Sequence, residues 1–218
     1  MTERNEYIES IIAKLHTINY VQPGEVPNIE LYMDQVTKFM DEYLESSKRF
    51  SDDKLLTKTM INNYTKNDLL PSPEKKKYTK DHMYMLLFIY YLKNILSISD
   101  TKAILKPLTE NFFNKKSGMD FEGIYKVIFD IEKDQAGIIT RDVIRKLEKS
   151  HLCFEDVEDP DQKKLLQQFS FIAMLCFDVY MKKQMIGLLV DEYFTDTDPA
   201  ENREKNDQNC GKQKKQDR

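Results

Sequence analysis

The stretch MINNYTKNDLLPSPEKKKYTKDHMYMLLFIYYLKN, Met60 to Asn94, decides how the rest of the chain is read. Its first part is polar with helical spacing and stops at Leu69-Leu70-Pro71. Proline lacks an N–H and crowds the residue before it, so no helix runs on through Pro71. Residues 71–78, PSPEKKKY, are too short and too polar for a core element and predict a hairpin-like wing. Thr79 then reads as an N-cap, with His82 at the third helical position and Asp81 in the first turn, where a negative charge suits the helix dipole. The helix it opens is expected to reach about Leu96. Its apolar residues go nearly all round, which marks a central, buried helix. Phe88 and Leu92 are expected where this helix meets the preceding helix and the wing.

Working outward, a short helix is expected from about Thr57 to Asp68, after a polar turn at residues 46–53. Before it, Asn28 reads as the N-cap of a helix from Ile29 to about Leu44. Residues 21–27 read as a linker, and residues 3–18 as an amphipathic N-terminal helix. Downstream, Ser97 or Ser99 caps a helix carrying Ile104, Leu105, Leu108, Phe112 and Phe113. From Asp120 the chain turns acidic, with twelve acids against six bases over residues 120–161. Phe121, Ile124, Tyr125, Ile128 and Ile131 mark one helix there, and Ile139, Val143, Ile144 and Leu147 a second. An acidic loop at 150–160 leads to a long helix over 161–194. Its residues Leu165, Phe169, Ile172, Cys176, Val179, Ile186, Val190 and Tyr193 recur by fours and threes, apart from Lys183. Residues 195–218 hold no aromatic or large aliphatic side chain and predict a disordered tail.

Composition narrows the class. Six glycines and seven prolines in 218 residues favour long helices over a turn-rich sheet fold. Three widely spaced cysteines fit reduced thiols in a cytoplasmic protein better than disulfides or a metal motif. No apolar run reaches membrane length, so no membrane association is expected. No phosphate-cradling loop or nucleophile elbow occurs, so no enzyme, no cofactor and no metal site is expected. Asp130 and Asp134 lie four apart but lack a histidine beside them, and read as solvated charge. Net charge is −4, yet residues 48–80 hold nine bases against four acids. That segment carries +5 and the remainder −9, which suggests a face meant for an anionic partner and equally fits a solvated surface of uneven charge.

The residues from Thr57 to Leu105 resemble the DNA-binding domain of MerR-type regulators. Thr57, Ile61, Tyr64, Lys66, Leu69, Leu70 and Pro71 follow the order of that motif, then Lys77-Tyr78-Thr79-Lys80-Asp81-His82-Met83, then Leu87-Phe88-Ile89-Tyr90-Tyr91-Leu92-Lys93. Three positions depart from it. Asp68 stands where glycine is usual, Asn62 where a DNA-contacting arginine is common, and Asn63 where a tyrosine is common. The chain as a whole also resembles a bacterial family known only as a domain of unknown function.

The resemblance implies an all-α fold: a winged helix-turn-helix module with a minimal wing at residues 26–115, after an N-terminal helix and linker at 1–25, and a helical C-terminal bundle at 116–194. It implies a transcriptional regulator bound to double-stranded DNA. The body after residue 115 does not look like that family's usual coiled coil; the widely spread apolar residues of the helix over 161–194 are what add the expectation of a homodimer through the C-terminal helices. Lys58, Asn62, Asn63, Tyr64 and Lys66 on the recognition helix, and Lys75, Lys76, Lys77 and Tyr78 on the wing, are the candidate DNA-binding residues. Asparagine reads adenine bidentately, and lysine neutralises phosphate. Tyr64 and Tyr78 equally suit the core, Tyr78 as a pin between wing and helix. Two alternatives stand beside this reading: a protein-interaction module that kept the fold and lost DNA binding, and a helical protein whose aromatic C-terminal core holds a small molecule.

Overall fold

The computed structural model describes residues 10, 21–115 and 118–195, without the side chains at 133, 134 and 136. The expected helix at 3–18 (Ser10 apart) and the tail from 196 lie outside the described residues, as does the Asp134 carboxylate. The described elements are β1 (Leu31–Tyr32), α1 (Met33–Tyr43), α2 (Lys58–Lys66), β2 (Lys77–Tyr78), α3 (Lys80–Lys93), α4 (Ile98–Phe112), α5 (Phe121–His151) and α6 (Pro160–Phe194), with 3-10 turns at Pro23–Glu25 and Glu45–Ser47. The fold is mostly α, as expected. Its one small sheet pairs β1 with β2 antiparallel, Leu31 opposite Tyr78 and Tyr32 opposite Lys77.

The core packs around α3, while α6 lies on α5 and α4 outside it. Met83, Tyr84, Met85, Leu86, Leu87 and Ile89 have no exposed surface. The core around them takes Val36 and Met40 from α1, Ile61 from α2, Tyr78 from β2, Leu105 from α4, and Phe121 and Tyr125 from α5. The core therefore runs past residue 115 into the first turns of α5. Two buried tyrosines fasten the segment before α1: the Tyr84 hydroxyl donates to the Pro23 carbonyl at 2.7 Å and the Tyr125 hydroxyl to that of Val21 at 2.7 Å. Burial pushes both phenols well above their ordinary range. The supposed linker is thus tied down, with Val21 and Val26 buried.

Several boundaries differ from the sequence reading, each for a physical reason. The first helix begins at Met33 rather than Ile29 because Leu31 and Tyr32 are held extended by pairing with the strand at 77–78. Gln35 caps the helix start by accepting from the Tyr32 N–H at 2.8 Å. α3 ends at Lys93, and the Ile95 and Leu96 N–H groups turn back to the Leu92 carbonyl. Ser97 caps α4, its side chain accepting from the Asp100 N–H at 3.1 Å. The two helices expected after Asp120 are one continuous α5. Gly137 lies between the two apolar stretches, and one glycine inside a helix weakens it without breaking it. Phe88 and Leu92 are half-buried, and Phe88 faces α5 rather than α2 and the wing. Its ring lies 5.6 Å from Tyr125 and 6.4 Å from Phe121, because the first turns of α5 cover that side of α3.

His82 closes the start of α3 as expected. Its Nδ1 accepts from the Thr79 N–H at 3.0 Å and lies 2.8 Å from Thr79 Oγ1. The ring is 2% exposed, edge-on to Tyr78 and Phe113. An accepting Nδ1 leaves the proton on Nε2, which is buried on the side of the Pro71 carbonyl without a well-formed hydrogen bond. Burial lowers the imidazole pKa from 6.5 to about 4. The unfolded chain therefore takes up this proton first, and stability falls as pH drops from 6.5 towards 4. The loss reaches at most roughly 3 kcal/mol, at about 1.4 kcal/mol per pH unit. Urea unfolding at stepped pH is expected to show this slope in the parent and not in His82→Gln. Half-buried Asp81, whose pKa is raised by desolvation, works in the opposite direction and is common to both chains. Parallel curves would show that His82 is not held neutral.

Candidate nucleic-acid interface

α2 is a nine-residue helix with two unlike sides. Thr57 caps it by accepting from the Met60 N–H at 3.2 Å. Ile61 and Tyr64, three apart, face the core, while Lys58, Thr59, Asn62, Asn63 and Lys66 are exposed. Every exposed side chain on the helix is thus a hydrogen-bond donor. Thr59 was missing from the sequence reading. Its spacing of three and four to Asn62 and Asn63 puts it on their face and was the available signal.

The helix exit is built without glycine. Asp68 takes φ +54°, the Leu69 N–H reaches back to the Tyr64 carbonyl at 2.9 Å, and the Asp68 N–H to that of Thr65 at 3.2 Å. This is a Schellman turn with aspartate at the left-handed position. Lys102 of α4 supports it, donating to the Asn67 carbonyl at 2.7 Å with Asp68 Oδ2 at 3.6 Å. A cation there suits the negative end of the α2 dipole. Leu69 and Leu70 then enter the core.

The expected wing is a tight hairpin. Glu74 bridges Lys77, whose N–H donates to the Glu74 carbonyl at 2.8 Å. Lys75 and Lys76 form the two-residue loop with φ +48° and +63°, the pattern of a type I′ turn, which favours Asn-Gly. Lysine is strained there, so the tip sets aside backbone comfort for charge.

The structure divides the candidate residues. Lys66, Lys75 and Lys76 are exposed and, among the described residues, in no ion pair. Lys58 pairs with Asp34, and Lys77 with Glu30 at 3.1 Å, which raises the Lys77 pKa. These acids were not anticipated, because α1 and β1 bring them in from outside the basic segment. Asn62 and Asn63 are exposed. Tyr64 and Tyr78 lie in the core, and burial raises both of their pKa values. Tyr78 joins hairpin to helix through its pairing with Leu31 and its contact with His82.

A shallow groove of about 280 Å³ runs between α1 and the approach to α2, lined by Asp34, Lys38, Asp41, Lys54, Leu55 and Thr57 among others. It lies away from the C-terminal helices. Among the described residues, no cluster of three or more His, Cys, Asp or Glu is placed to hold a metal ion, and no helix is long and apolar enough to cross a membrane.

These features define a mostly helical domain around one buried helix, with a polar helix and a lysine-tipped hairpin along one part of its surface. Residues 21–128 match the family model described as a domain of unknown function, DUF1836, a segment spanning the α3 core and the first turns of α5. No curated protein and no solved structure matches the chain.

Relieving the strained tip is expected to stabilise the fold. The double variant Lys75→Asn, Lys76→Gly should gain about 1 kcal/mol in urea unfolding, since both residues accept positive φ. A loss of stability would show that the loop does not hold this turn in solution.

Proposed function

We propose that this chain is a DNA-binding transcriptional regulator of the winged helix-turn-helix kind, with α2 in the major groove and the hairpin tip on the flanking phosphates. The observation that carries the reading is the pairing of an all-polar exposed face on α2 with a strained hairpin tip made of two unpaired lysines. Base edges need short donors and acceptors such as Asn62, Asn63 and Thr59. Phosphates need mobile cations such as Lys66, Lys75 and Lys76. The order strand, helix, α2, hairpin, α3, with β1 paired to the strand after the hairpin, supports the likeness to MerR-type domains. On this reading Tyr64 and Tyr78 position the interface from within, and Lys58 and Lys77 reach phosphate only by leaving Asp34 and Glu30.

Those two ion pairs favour one other reading. A face whose lysines already hold carboxylates also fits an acidic protein surface, in a module of the same fold that does not bind DNA.

Fluorescence anisotropy with duplex taken from upstream of the protein's own coding sequence separates the two. DNA binding should weaken with salt at a log–log slope of about −0.9 for each phosphate neutralised. Lys75→Asn, Lys76→Gly should flatten that slope by up to about 1.8 and weaken all duplexes alike, although the fold is stabilised. Asn62→Ala or Asn63→Ala should relax preference at one base pair by roughly 1–3 kcal/mol and leave the slope alone. Absence of salt-sensitive binding to any duplex would sink the DNA reading and leave the protein-partner reading in its place.

A further inference from the structure

α5 carries an apolar face that the α3 core does not use. Phe121 and Tyr125 point into the core, while Val127, Ile131 and Ile138 are 52%, 56% and 50% exposed. Spaced by four and seven, these three share one side of the helix, with exposed Ile128 and Ile139 beside them. Gln135 is the polar residue that helical spacing adds to this strip. α6 meets α5 further along, where Gln167 donates to the His151 and Cys153 carbonyls and Asp178 lies 2.5 Å from Lys146.

The chain itself arrives at this face. Val21 is 1% exposed, and its carbonyl accepts from the Tyr125 hydroxyl at 2.7 Å. The twenty residues before it therefore start from α5, within one turn of Val127 and Ile128. They carry a stripe of their own: Tyr7, Ile8, Ile11, Ile12, Leu15 and Ile18 recur at helical spacing. Ser10, helical and exposed, falls to the other side of that stripe.

Direction, length and charge agree. α5 begins only four residues before Tyr125, so the segment finds helix surface by running towards Ile139. Tyr125 to Ile139 spans about 21 Å, and a helix over residues 3–18 spans about 24 Å. In that direction Leu15 comes opposite Ile131 and Ile8 opposite Ile138, and Glu3 and Glu6 come beside exposed Arg141.

We propose that residues 3–18 form a helix lying antiparallel along this face of α5, with the Ile8, Ile11 and Leu15 side turned inwards. The occupant is the chain's own N-terminal segment. Its tether at Val21 gives it an effective concentration at the face that a separate partner does not reach. A helix of this length is marginal in water by itself, so docking is what holds it. The inference does not depend on the DNA reading.

Hydrogen exchange of the full chain, read by mass spectrometry, should show the amides of residues 7–18 slowed at least about ten-fold from free-chain rates. Ile131→Glu, Ile138→Glu should return them to within about two-fold of those rates and leave the α3 amides as slow as in the parent, since both side chains are exposed on α5. A thiol pair tests whose segment it is. With Cys153, Cys176 and Cys210 replaced by serine, Leu15→Cys with Ile131→Cys should close a disulfide within one chain under mild oxidation, and Ser10→Cys with Ile131→Cys should not. Free-chain exchange over residues 7–18 in the parent overturns the proposal, as does protection that the double variant leaves unchanged. So does a Leu15–Ile131 thiol pair that stays open, or one that closes only between two chains.

Discussion

A helix with no face of its own for solvent must be covered on every side, and α3 is that helix. Six of its side chains have no exposed surface, so α1, α2, β2, α4 and the start of α5 must each turn an apolar face towards it. Burying one such side chain contributes roughly 1.5–3 kcal/mol, and six of them fall within seven residues of α3. At its N-terminal end the Thr79 N–H is met locally by His82 Nδ1, and the imidazole is kept neutral by its burial among apolar rings, its Nε2 lacking a well-formed partner. The position of every functional side chain follows from this cover. α2 spends Ile61 and Tyr64 on the core and has only polar residues left for its other side. Tyr78 is drawn into the core, and that leaves the lysines before it at the tip of the hairpin.

The candidate interface is rigid where it joins the core and strained where it meets solvent. The exit of α2 holds an aspartate in the left-handed region, steadied from α4 by Lys102. The hairpin tip holds two lysines in that region with no partner among the described residues. These two strained sites differ in meaning. Asp68 has an ion partner and a capped helix to offset its strain. Lys75 and Lys76 have neither among the described residues. On the proposed function, the phosphates these lysines meet would offset the strain of the turn.

Local signals made much of this legible in the sequence. Thr57, Thr79 and Ser97 cap helices where their residue types say they should, Pro71 stops the chain where its ring demands it, and the all-round apolar pattern of residues 83–92 marks the buried helix. Long-range pairing was not legible. A two-residue strand at Leu31–Tyr32 has no pattern of its own and exists because Tyr78 and Lys77 come to it. Glu30 and Asp34 carry no mark that they hold Lys77 and Lys58. Phe88 reads as core by type, but only the arrival of α5 settles which side of α3 it faces. At the candidate site, the exposure of Asn62, Asn63 and Lys66 follows from helical spacing. The burial of Tyr64 follows from the same spacing, three residues after Ile61.

The two parts of the chain satisfy their apolar residues differently. Around α3 the apolar side chains find one another within the chain. Along α6 only some do: Val190 is buried and Phe171 and Met174 are half-buried, while twelve large apolar side chains stand exposed. The α5–α6 seam therefore combines apolar side chains with polar contacts: Phe171 and Met174 fill the face between Gln167 and Asp178, and the two polar residues fix which turns of the helices meet.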